Sequence, residues 1–269
     1  MEKNVSNKKQ LQIRSGRLLL SKTKITMYQF NKFKNFENLI LGISTKSDGN
    51  MSFSWGKKEE VIKNRKKFLK KLGVSQGNCV ISNLEHDTQI KEVNSSHKGQ
   101  VLNDGKIVAD AIVTTEKSLF LVMFFGDCLP MIFYDSKKEI LALAHISIAN
   151  TGKKFAEKII ITLGKKYSCS PANLIVGFGP AIHKDSYRKE NLKQIKVKDW
   201  EGFLKRTGGK ITIDIIGYNK KQLINARVKE KNIEISDIDT VQSPEFFSHY
   251  RSKRTGEEEG RFAMVVGMV

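Results

Sequence analysis

Residues 119–152 read LFLVMFFGDCLPMIFYDSKKEILALAHISIANTG, and their reading decides the fold. Two apolar runs, 119–125 and 129–134, flank the triplet Gly126-Asp127-Cys128, and a third run, 140–144, ends at His145. Apolar runs of this length, bounded by Gly, Asp, Ser and Lys, suit buried strands better than helices. A thiol at one strand junction and an imidazole at the end of a nearby strand suit two chemistries. They match a borderline-soft metal such as zinc, and equally a Cys–His nucleophile pair. Taken singly, each residue reads as core: a small buried thiol and a hydrogen-bonded histidine.

Around this stretch, the composition narrows the class. The chain of 269 residues is 39% hydrophobic with four prolines, enough for a core and too proline-poor for a linker-rich protein. Cys79, Cys128 and Cys169 are widely spaced with no CxxC pair, which fits a reducing cytoplasm rather than a disulfide framework. No run approaches the roughly 18–20 apolar residues of a membrane span. Leu18-Leu19-Leu20 is too short for a signal-peptide apolar region. The formal charge of +19 attracts phosphates, nucleotides or anionic surfaces. Its lysines are dispersed where helices turn a wet face outward, and no RNP-like, zinc-finger or helix-turn-helix signature accompanies them. A nucleic-acid partner is therefore disfavoured.

Residues 1–25 read as a basic, partly disordered extension, with strand-like runs at 11–20 and 25–30, and residues 26–269 as one domain. Residues 39–44 read as a strand, 45–56 as an ordered loop, and 59–72 as an amphipathic helix stopped by Gly73. A strand starts at Cys79 and runs out towards His86, and another is expected over 106–114. Helices are expected over 151–166, 198–206 and 218–231, with strands over 174–176, 211–215, 238–241 and 262–267. A basic segment, 248–260, joins the last two strands. Strands and helices alternate without repeat or linker, the pattern of one α/β domain.

Seven short motifs occur in a telling order. Gly126-Asp127-Cys128-Leu129-Pro130 followed by Ala144-His145 resembles a strand–ADC–P–strand–AHAGWRG pattern. Gly42-Ile43-Ser44-Thr45-Lys46 resembles GVSTR, Asn64-Arg65 a helical NR, and Asp110-Ala111-Ile112-Val113-Thr114 a DALVT segment. Gly179-Pro180-Ala181-Ile182 matches GPAI, Phe246 to Arg251 resembles FFSHRR, and Gly260-Arg261 fits a terminal GR. Together these resemble the laccase-domain family, also called polyphenol oxidase-like, whose members are described as purine nucleoside phosphorylases. The resemblance runs from about residue 38 to the end.

The resemblance implies a single-domain, layered α/β/β/α sandwich with mixed sheets. It implies zinc held by His86, Cys128 and His145, although His97 lies near His86 in the sequence. Three protein ligands leave a fourth position open, the pattern of catalytic rather than structural zinc. Asp127 is implied as an orienting residue or base beside Cys128 and His145, and Lys46, Arg251 and Arg261 as phosphate ligands. The implied substrates are a purine nucleoside (adenosine, inosine or methylthioadenosine) and phosphate, with adenosine deamination as a possible second activity. The chain is expected to be monomeric or homodimeric.

The chain also departs from the family. HAGWRG reads here His145-Ile146-Ser147-Ile148-Ala149-Asn150, so its Gly, Trp and Arg are all absent. Lys46 keeps the charge of the family's Arg but not its planar fork. Two alternatives follow: a metal-free hydrolase or deamidase with Cys128 as nucleophile and His145 as base, and a catalytically decayed basic binding protein. Multicopper oxidation is disfavoured, because five scattered histidines do not assemble the usual copper centres.

Overall fold

In this computed structural model, residues 27–103, 105, 107–192, 200 and 202–269 are described. The expected extension over 1–25 and the run at 11–20 lie outside them. Of the run at 25–30, Tyr28 makes a single antiparallel bridge to Ile43.

In chain order the strands are β1 (Leu39–Ile43), β2 (Cys79–Asn83), β3 (Ile90–Glu92), β4 (Ile107–Val108), β5 (Ala111–Thr114), β6 (Phe120–Phe125) and β7 (Leu129–Asp135). They continue with β8 (Ile140–Ile146), β9 (Ile175–Phe178), β10 (Arg188–Lys189), β11 (Leu204–Thr207), β12 (Lys210–Ile213), β13 (Ile233–Ile235) and β14 (Phe262–Met268). The helices are α1 (Lys58–Lys71), α2 (Ile148–Gly152), α3 (Phe155–Tyr167), α4 (Ile215–Asn225) and α5 (His249–Thr255).

Two mixed sheets stack face to face. One has five strands in the order β1-β14-β6-β2-β4, the other six in the order β13-β9-β7-β8-β5-β3. The period-two alternation of each strand assigns its residues to layers. Leu121, Met123 and Phe125 of β6 meet Ile132, Tyr134, Leu141 and Leu143 in the core between the sheets. Phe120 and Val122 face outward onto Phe68 and Leu69 of α1. Met131, Phe133, Ala142 and Ala144 face the other way, onto Phe155, Ile159 and Leu163 of α3. The result is the α/β/β/α sandwich that the resemblance implied.

β6, β7 and β8 form as the apolar runs dictate, with β7 and β8 paired antiparallel and Pro130 opposite His145. Pro130 donates no ladder bond, but its carbonyl accepts the Gly179 N–H at 2.9 Å. A small third sheet, β10-β12-β11, lies over a separate cluster of Trp200, Ile211, Ile213 and Tyr218.

Four expectations are corrected. The helix expected over 198–206 gives way, in its described part, to strand β11, which pairs with β12 around Gly208-Gly209, both at positive φ. A two-residue glycine turn favours a hairpin. The helix expected over 151–166 is two helices, because Lys154 is left-handed at φ 55°. The strand over 106–114 is split at Ala109-Asp110, where Asp110 turns to gather backbone amides. The strand expected over 238–241 is only an Asp239–Ala181 bridge; the parallel partner of β9 is β13, which begins five residues earlier and pairs Ile233 to Ile235 with Val176 to Phe178.

Candidate metal centre

Asp110 organises the site. It is fully buried, and its carboxylate accepts N–H bonds from Glu85, His86 and Asp87 at 3.2, 3.1 and 2.9 Å. This cradle holds His86 in the left-handed region, φ 61°, a conformation that a non-glycine residue keeps only when its surroundings impose it. The same carboxylate meets His145 Nδ1 at 2.9 Å, and the Asp110 carbonyl accepts the His145 N–H at 2.8 Å. Burial alone would raise the Asp110 carboxyl; the bonds from His145 and the Asp87 and Glu85 amides outweigh it and hold the carboxyl below its ordinary value.

With Nδ1 committed to Asp110, His145 presents Nε2. One ligand atom each from His86, Cys128 and His145 lies within 4.8 Å of the others. Among the described residues this is the one group of three or more His, Cys, Asp or Glu side chains close enough to hold an ion. The His86 and His145 rings meet edge-on with centroids 4.9 Å apart. His145 is 3% exposed, Cys128 half-buried and His86 exposed, so the group opens to solvent on one side.

The donor set fits a metal on its chemistry. One thiolate, two imidazoles and a carboxylate behind one imidazole form the carboxylate–histidine–metal arrangement. Electrostatics prepare the thiolate. Burial would raise the Cys128 thiol, but the His145 and His86 imidazoles more than offset it and lower the thiol to about 6. Burial would lower His145, but the Cys128 sulfur and the Asp110 carboxylate raise it to about 9. By contrast, burial pushes the Cys79 and Cys169 thiols up to about 12.

The remaining residues singled out in the sequence are in different states. His97 is not in the cluster; its ring packs on Asn94 in an exposed turn. Asp127, at φ 91°, accepts the Thr240 hydroxyl at 2.7 Å and the Tyr250 N–H at 2.6 Å. Arg261 lies against Gly126 so closely that a Cβ there would stand 2.9 Å from its Cδ and 3.1 Å from its Nε. Its Nη1 donates to the Gly260 carbonyl and meets Glu259, and its guanidinium stands 5.1 Å from the Trp55 ring. Lys46 pairs with Glu257 at 3.2 Å. Arg251 donates to the carbonyls of Thr240, Val241, Ser243 and Phe246 and to Glu257.

Asp110 lies in the DALVT-like segment, and sequence reasoning assigned it no role. The signal available was a carboxylate beside a strand-end histidine. It also missed the pocket beside Cys128, about 140 Å³, walled by Ile148, Ile182, Tyr187, Ile215 and Tyr250. These residues are far apart in the chain and no local pattern joins them. The 146–150 segment that lacks the Gly, Trp and Arg forms a capping box: Ser147 and Asn150 bond each other reciprocally. Asn150 Nδ2 donates to the carbonyls of Asp87 and His145, tying the two ligand-bearing segments together.

A family model described as multi-copper polyphenol oxidoreductase laccase matches residues 40–269. A relative from Bacillus subtilis strain 168, purine nucleoside phosphorylase YlmD, is 23% identical over 253 residues, covering 87% of this chain and 90% of that protein. Purine nucleoside phosphorylase SSP1584 of Staphylococcus saprophyticus is 25% identical over 251 residues, covering 87% and 94%. Among solved structures, hypothetical protein YfiH of Bacillus licheniformis superposes with a TM-score of 0.80 at 22% identity, covering 91% of this chain and 97% of that one. YlmD from Geobacillus stearothermophilus superposes with a TM-score of 0.79 at 24% identity, covering 87% and 93%.

Proposed function

The chain belongs to the multi-copper polyphenol oxidoreductase laccase family, and on that premise we propose that it is a zinc-dependent purine nucleoside phosphorylase. The observation that carries the reading is the convergence of His86, Cys128 and His145 on one point, with Cys128 also lining an apolar pocket. Relatives that carry the name purine nucleoside phosphorylase support the substrate class. A single three-residue cluster among the described residues supports one ion per chain rather than a set of copper centres. Free Cys79, Cys128 and Cys169 support a reducing cytoplasm as its place.

His86, Cys128 and His145 would hold the zinc, which would supply Lewis acidity beside the pocket. The other residues bind and orient. Ile148, Ile182 and Ile215 take the flat purine between apolar walls and keep water out. Burial holds the Tyr187 phenol far above its ordinary range, and the nearby Cys128 sulfur adds to this, so it remains a donor at the pocket wall. Arg261 and Lys46 receive the phosphate, whose oxygen bonds to C1′ as the C1′–N9 bond breaks. Arg251 and Asp127, with their bonding groups already engaged, position the wall that carries Tyr250. The same pocket admits adenosine deamination as a side activity.

The test is metal content by mass spectrometry, together with chromatography of adenosine or inosine incubated with phosphate. Wild-type protein is expected to carry about one zinc per chain and to release free base and ribose 1-phosphate. Cys128→Ala is expected to lose both. Turnover that survives in Cys128→Ala overturns the reading, as does zinc-loaded wild type that yields no free base.

One observation favours a second reading. Asp110, His145 and Cys128 lie in the order carboxylate–imidazole–thiol, the arrangement of a cysteine nucleophile with its base and orienter. A metal-stripped protein that still acts on an amide or ester, and is killed by stoichiometric iodoacetamide, selects this reading over the first.

A further inference from the structure

The pocket beside Cys128, about 140 Å³, is smaller than the roughly 300–1,000 Å³ of sites that enclose a small ligand. It is not closed. Lys189, His249 and Tyr250 line it and also line an adjoining groove of about 470 Å³. That groove is edged by Arg188, Lys189, Lys210, Lys253 and Arg254, against one carboxylate, Glu190. Strand pairing and one helix bring these cations together. β10 carries Arg188 and Lys189 beside β12, which begins at Lys210, while α5 presents Lys253 and Arg254.

The groove is preorganised. The Tyr250 hydroxyl donates to the Arg188 carbonyl at 2.7 Å and accepts the Arg188 N–H at 3.1 Å. The Arg254 guanidinium lies 3.3 Å from the centroid of the Tyr250 ring. Lys253 pairs with Glu259 at 3.3 Å. Among the described residues, no carboxylate forms an ion pair with Arg188, Lys189, Lys210 or Arg254. Like charges gathered on a concave surface focus positive potential there and repel one another until an anion joins them.

We propose that this groove binds the phosphate of a phosphorylated purine nucleoside whose base occupies the pocket beside Cys128. The nucleoside half rests on the function proposed above; the anion half rests on the groove alone. A phosphate monoester carries a charge of about −1.5 to −2 and three acceptor oxygens, and the guanidiniums of Arg188 and Arg254 match it in two-pronged fashion. The free phosphate of phosphorolysis is assigned to Lys46 and Arg261, and neither lines this groove.

The experiment is calorimetric titration of metal-loaded protein with adenosine, adenosine 5′-monophosphate and inorganic phosphate. It compares wild type with the double variant Lys210→Glu, Arg254→Glu; both positions are exposed, and circular dichroism checks the fold. The 5′-phosphate is expected to bind wild type at least about tenfold more tightly than adenosine at low salt. That advantage should narrow at about 0.5 M salt and vanish in the variant, with adenosine affinity unchanged. Equal affinities for adenosine and its 5′-phosphate overturn the proposal while leaving phosphorolysis of adenosine standing. Inorganic phosphate that tightens adenosine binding in wild type but not in the variant also overturns it, by giving the groove to the free co-substrate. Tight binding of the ester without any phosphorolysis keeps the groove and removes the proposed reaction instead.

Discussion

Two networks flank the Gly126-Asp127-Cys128 turn and differ in where their bonds end. On one side Asp110 gathers three backbone amides and His145 Nδ1, and the network finishes at nitrogen and sulfur atoms aimed at a shared point. On the other side Arg251 spends its guanidinium on four backbone carbonyls and Glu257, and the network finishes on itself. Both are centred on one charged group. The number of donors left over, rather than the sign of the charge, separates a residue that serves chemistry from one that serves the fold.

The sharpest way to break this contrast is Arg251→Ala. If the guanidinium is a brace for 240–246, its loss leaves the carbonyls of Thr240, Val241, Ser243 and Phe246 without their donor, with Glu257 held by Lys46 alone, and costs about 3 kcal/mol. Urea denaturation measures it, with Arg251→Lys recovering little because an ammonium cannot span the same carbonyls. A change under about 0.5 kcal/mol, accompanied by a raised KM for phosphate, would return Arg251 to the binding machinery.

Asp110→Asn tests the other network at a smaller scale. The amide keeps the shape and part of the cradle but no longer charges His145 or fixes its tautomer. Zinc affinity, measured by chelator competition, should fall about 10–100-fold while the fold is retained. An unchanged affinity would mean that the Asp110 cradle orders backbone alone.

The third effect is about tenfold and appears only in metal-free protein. The folded thiol of Cys128 titrates near 6, below its free value, while His145 titrates near 9, above its own. The thiolate–imidazolium pair therefore exists between those two values: it is lost as pH falls through about 6 and again as pH rises through about 9. The rate of iodoacetamide labelling should rise about tenfold from pH 5 to pH 7 and then flatten. Cys79 and Cys169, pushed up to about 12, stay silent over that range. His145→Ala should move the midpoint towards the ordinary thiol range near 8.5; a midpoint already there in wild type would dissolve the contrast between the two networks.

Much of the fold was legible because burial imposes a period. The runs at 119–125, 129–134 and 140–144 alternate between a face on the sheet core and a face on a helix, so their type and nearly their bounds followed from composition. The sequence around 198–206 misled because Lys and Arg spacing can mark a helix face or one side of an edge strand, and only the following Gly208-Gly209 decides between them. Cys128 and His145 stood out because a thiol and an imidazole interrupt the ends of runs that are otherwise apolar. Asp110 did not, because its importance lies in three amides that belong to residues 85–87, and no local pattern in the chain reports a contact made 23 to 25 residues away. The walls of the pocket escaped notice for the same reason.

His86 follows β2 of the five-stranded sheet, His145 belongs to β8 of the six-stranded sheet, and Cys128 sits on the link from β6 to β7. An ion held by these three would be a rivet through both layers of the sandwich. Its absence would cost more than activity, because the layers could then slide at that end while the rest of the core stayed packed. A cell short of the metal would accumulate a loosened protein that invites proteolysis at one edge, so abundance itself would follow metal supply.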